Sequence, residues 1–98
     1  MNTQISQDQI NLWKSKYKDI FKITVEDKVA YLKKPDRKIL AAATAASTNN
    51  PMKFNEVILL NCWLGGDEEI KTEDSYFLGV SAKINELIEV KQAELEKL

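Results

Sequence analysis

The apolar run Val57-Ile58-Leu59-Leu60, followed at once by Cys62-Trp63-Leu64, constrains this chain more than any other segment. On a helix that starts near Pro51 and also carries Phe54, these side chains cover nearly the whole circumference of the second half, so the rest of the protein has to bury it. At 98 residues the chain has room for one domain, spanning 1–98, and one modest core built around that helix. Gly65 and Gly66 come next and read as the left-handed stop after a helix running over about 51–64.

The other segments must supply the cover. Ser6 is placed to cap a first helix over 7–19, in which Ile10, Trp13 and Tyr17 recur at helical spacing. Lys14, Lys16 and Lys18 follow an i, i+2 spacing that spreads them around this helix instead of forming a basic row. From Ile20 the period changes to two. Phe21, Ile23 and Val25 alternate with Lys22 and Thr24, a polar break follows at Glu26-Asp27-Lys28, and Val29 to Lys33 resume as a second strand. This is a β-hairpin. With no glycine at the break, a loop longer than a two-residue turn is expected.

Pro35 ends the second strand and suits the first turn of a helix over about 35–47, with Asp36 favourable to its dipole. Ala41-Ala42-Ala43 and Ala45-Ala46 carry high helix propensity and little bulk, which allows another helix to approach closely. After Gly66, the acidic stretch Asp67-Glu68-Glu69 leads to Thr72 as an N-cap and to a last helix from about 73 nearly to Leu98. Its Phe77, Val80, Ile84 and Leu87 form one seam. Lys91 and Glu94 take the next two seam positions, while Val90, Leu95 and Leu98 are scattered, so the final turns are expected to project or to meet another molecule. The expected fold class is α+β: a small, mostly helical domain of about four helices with one antiparallel β-hairpin. It divides into an N-terminal helix (1–19), the hairpin (20–34) and a helical part (35–98).

Composition narrows the chemistry. The chain has no histidine, which removes the commonest general base and metal ligand together and makes Ser–His and Cys–His pairs impossible. One cysteine without histidine does not supply a zinc ligand set, and the three glycines form neither a Walker loop nor a dinucleotide fingerprint. The carboxylates Asp67, Glu68, Glu69, Glu73 and Asp74 lack the alternating spacing and central glycine of a calcium loop and read as structural or solvating. Cys62 reads as core, and Trp63 as a core anchor or a half-exposed interface residue. No metal and no cofactor are expected, and no enzyme activity.

Net charge is only −1, but residues 1–38 hold nine Lys/Arg against five Asp/Glu, whereas 39–98 hold five against ten. The basic and acidic faces either meet within the fold, stay solvated, or orient neighbouring copies or a charged partner. The basic stretch Lys33 to Lys38 is interrupted by Asp36 and has only Tyr31 as a nearby aromatic platform, so nucleic acid is not an expected partner. A single cysteine suits a reducing compartment, the polar start after Met1 carries no secretory leader, and no apolar run approaches the roughly 20 residues of a membrane span. A soluble protein of the bacterial host cytoplasm, without membrane contact, is the expectation.

Three motifs in order, Tyr31-Leu32-Lys33-Lys34-Pro35-Asp36-Arg37, Asn61-Cys62-Trp63-Leu64-Gly65-Gly66-Asp67 and Phe77-Leu78, resemble the tail assembly chaperones of long-tailed bacteriophages and prophages. The resemblance covers roughly residues 20–98 and leaves the first helix outside it. It implies a non-enzymatic cytoplasmic protein, similar to the short form of the family, that coats the helical tape measure protein and recruits tail tube protein. Weak self-association would let neighbouring copies reinforce one another. For such a role the expected contact surface is Trp63, Leu64 and the end of the last helix, Leu95 and Leu98. The competing reading is a small self-assembling structural or connector subunit of a phage particle.

Overall fold

In a computed structural model that describes residues 5–88 and 90–98, the chain begins with helix α1, Gln7–Lys16. Ser6 caps it as its spacing predicts, its Oγ accepting a hydrogen bond from the Gln9 N–H at 3.1 Å. The helix stops three residues short of the expected end because Tyr17 turns into extended backbone, its N–H held by the Trp13 carbonyl at 2.7 Å. There its ring lies under Lys16 Nζ and Lys33 Nζ, at 5.6 and 5.2 Å.

Strands β1 (Ile20–Val25) and β2 (Lys28–Lys33) pair antiparallel, from Ile20 opposite Lys33 to Val25 opposite Lys28. The connection is a two-residue turn, Glu26-Asp27, and not the longer loop expected. Glu26 takes φ 56°, the positive value that matches a tight turn to the right-handed strand twist. For a non-glycine residue that conformation costs on the order of 1–2 kcal/mol.

Asp36 is the N-cap of α2 (Arg37–Ala46) rather than part of its first turn, its Oδ1 accepting from the Ile39 N–H at 2.8 Å. Pro35 therefore precedes the helix. α2 lies against α3 (Met52–Cys62), and of its alanines Ala43 is the buried one.

The main departure follows Cys62. Instead of continuing to Leu64, the helix breaks, and Trp63–Gly66 form a third strand, β3, antiparallel to β2 in a sheet ordered β1-β2-β3. A register shift at Tyr31/Leu32 leaves Leu64 as the extra residue, since Gly65 faces Tyr31 and Trp63 faces Leu32. Gly66 does not stop a helix here. Its φ is +136°, and a Cβ at that position would stand 2.4 Å from the Val29 carbonyl oxygen, so only glycine lets β3 close on β2.

Thr72 is likewise not a cap; it ends a short turn of helix, α4 (Glu69–Thr72), before α5 (Asp74–Ile84). Of the expected seam, Val80 and Ile84 on α5 and Leu87 just beyond it lie in the core beside Leu32, Ile58, Leu59, Cys62 and Ile70, while Phe77 is only half-buried. α3 and α5 thus cover one face of the sheet. On the other face α1 lays Trp13 over Tyr31, ring centroids 5.7 Å apart, and against Gly65.

The last helix is shorter than expected. It ends at Ile84, a 3₁₀ turn Asn85–Leu87 tucks Leu87 into the core, and residues 90–98 are non-helical and exposed throughout. Over 90–98 no residue is buried against the domain, so a helix there would have no covered apolar face. A free helix of about 11 residues is marginal in water. The two charge halves meet in part, through Lys28 Nζ and Glu69 Oε1 at 3.2 Å.

Candidate docking groove

Although the second half of α3 is apolar around nearly its whole circumference, only Ile58, Leu59 and Cys62 are buried on the helix. Met52, Glu56 and Leu60 stand four residues apart and form one outward row, with Met52 49% and Leu60 54% exposed. Opposite this row stand Asp74 and half-buried Phe77 from α5 and Lys71 from α4, and Leu59 closes the floor. The result is a groove of about 280 Å³ with an apolar centre and charged walls.

The walls are held in place locally. Asn50 Oδ1 accepts from the Met52 N–H at 3.2 Å and sets the start of α3. Lys53 and Glu56 pair at 3.0 Å, and Lys71 pairs with Glu68 at 2.9 Å. Lys71 Nζ also sits 4.5 Å over the Trp63 ring, which ties Trp63 to one end of the groove.

The four residues expected to form a contact surface fall in two places. Trp63 and Leu64 are half-buried in β3, and Trp63 packs against the core. Leu95 and Leu98 are 100% and 108% exposed, so nothing in the domain covers them and they form no common surface with β3. Met52, Leu60 and Phe77 escaped the sequence reading of the site. The sequence signal was there in Glu56, a charge set midway between Met52 and Leu60, which marks the row that faces water.

The carboxylate-rich stretch is built into the fold. Asp67 is buried and bonded to Val29, Glu69 pairs with Lys28, and Glu68 pairs with Lys71. The hydrogen bond to Glu69 raises the Lys28 pKa above its ordinary value. Burial pushes the Cys62 thiol up to about 11, which keeps it protonated and unreactive near neutral pH.

No protein-family model, curated protein or solved structure matches the chain.

Proposed function

We propose that this chain is a non-enzymatic binding protein that holds an amphipathic helix in the groove between α3 and α5. The observation that carries the reading is the half-exposed pair Met52 and Leu60, facing Phe77 across a floor of Leu59. A helix laid there would bury its apolar stripe on these four side chains and set its flanking charges against Lys53, Glu56, Lys71 and Asp74.

The helix it holds is that of a tape measure protein, and the chain is a tail assembly chaperone of a long-tailed phage or prophage that also helps recruit tail tube protein. Support for the specific identity comes from the three sequence motifs. The groove supports the mode of binding: a long amphipathic rod offers many equivalent short sites, so each can be weak. Among the described residues no helix is long and apolar enough to cross a membrane.

Co-expression with a helical tape measure fragment tests this. Leu60→Glu with Met52→Glu removes co-purification while far-UV circular dichroism stays unchanged; undiminished capture by the double variant contradicts the assignment.

A second reading, a self-assembling structural or connector subunit, draws on the outer edge of β1. There Ile20, Lys22 and Thr24 turn their N–H and C=O groups away from β2, and no described strand pairs with them. Lys22 stands at the centre of that edge, so two copies pairing antiparallel about it would set lysine against lysine. A defined ring in light scattering of the isolated protein favours this second reading.

A further inference from the structure

The segment after Leu87, exposed over 90–98, has the pattern of a binding helix. Counted from Ile88, the residues Ile88, Lys91, Leu95 and Leu98 step by three, four and three, which places them on one helical stripe. The stripe from 88 to 98 would be about 15 Å long, and the α3 wall of the groove from Met52 to Leu60 is about 12 Å. Signs also match. In a helix docked there Lys91 would sit mid-stripe, where the groove carries the carboxylates of Glu56 and Asp74, and Glu94 and Glu96 would flank it, where the groove carries Lys53 and Lys71.

We infer that the C-terminal segment of one copy folds into a helix in the α3–α5 groove of a second copy, joining molecules head to tail. The inference rests on the reading of this groove as helix-binding. A copy does not fill its own groove in this way. The groove lies against Asp74 and Phe77 in the first half of α5, whereas the segment leaves past the other end, about 15 Å away along the helix axis. Ile88 directly follows the buried Leu87, so a return within one chain would use 88–94 as linker and take Ile88 and Lys91 out of the docked stripe. The contact is heterologous, and repeated use of it builds open chains that compete with a partner helix for the groove.

Complementation in sedimentation velocity tests it on the full chain. Wild type shows a mass that rises with concentration, together with a gain in helical circular dichroism. Leu95→Glu/Leu98→Glu, which keeps the groove, and Leu60→Glu, which keeps the segment, are each monomeric; Met52→Glu stands in for Leu60→Glu should the latter lose its native dichroism. Mixing the two kinds of variant restores association, but only to a one-to-one dimer. A wild type that stays monomeric, single variants that still associate, or a mixture that stays monomeric overturns the inference. If the mixture stays monomeric while Leu95→Glu/Leu98→Glu still captures a tape measure helix and Leu60→Glu does not, this inference fails and the proposed function stands. If Leu60→Glu impairs neither, both fail.

Discussion

Asp67 and Val29 exchange two hydrogen bonds: the Asp67 N–H donates to the Val29 carbonyl, and the Val29 N–H donates to Asp67 Oδ2, each at 2.9 Å. Asp67 is 1% exposed, so a carboxylate closes the end of the sheet where β3 leaves β2. Asp67→Ala leaves a buried N–H without an acceptor and is expected to lower stability by about 1–3 kcal/mol in urea unfolding. Asp67→Asn keeps an acceptor oxygen and should cost less. Equal, negligible effects of both would show that the clasp does not hold the strand.

The two glycines of β3 differ. Gly66→Ala puts a methyl group 2.4 Å from the Val29 carbonyl in a backbone conformation that disfavours side chains. It should lose more than about 2 kcal/mol. At Gly65 the nearest atom, 3.0 Å away, belongs to the Trp13 ring, which can shift. Gly65→Ala should therefore cost less and should change Trp13 fluorescence; a reversed order in thermal unfolding contradicts the β2–β3 register.

α1 buries none of its residues and is held to the sheet through Trp13 on Tyr31 and Gly65. Trp13→Ala should free α1 while the other helices stay folded, at a cost of about 1–2 kcal/mol for the lost apolar area. Hydrogen exchange reads this directly: faster exchange confined to residues 7–17 is the expected result, and unchanged protection there contradicts the assignment.

Raising the pH above about 9 should destabilise the protein. The Cys62 thiol pKa lies above its ordinary 9.0, at about 11, because burial disfavours the thiolate. A raised folded-state pKa means that the unfolded chain loses its proton first, so the thiol's contribution is whole below pH 9.0 and is lost on rising to about 11. The raised Lys28 pKa acts in the same direction, from 10.5 upward, as the Glu69 hydrogen bond loses its charge partner. Stability measured from pH 8 to 11 should fall in wild type and fall less in Cys62→Ala. Parallel curves would contradict the burial argument.

Much of this fold was legible because local rules and tertiary demands agree. The Ser6 cap, the alternation through Phe21, Ile23 and Val25, and the Val80–Ile84–Leu87 seam all appear where spacing places them. β3 was hidden because four residues, two of them glycine, are too few to show a period of two, and their partner in β2 lies some thirty positions away. Helix periodicity predicted a last helix to Leu98 because it counts apolar spacing and not the surface available to cover it. The groove was obscured for the converse reason: the all-round apolar second half of α3 looks wholly buried until the Met52–Glu56–Leu60 row is seen to face outward.

Titration of a labelled amphipathic tape measure peptide into the full chain, followed by fluorescence anisotropy, tests the helix-holding groove most directly. Saturable binding in wild type that weakens at least about tenfold in Leu60→Glu, a loss of about 1.4 kcal/mol, is the predicted result. Equal binding by Leu60→Glu and wild type, with both folded, would contradict it.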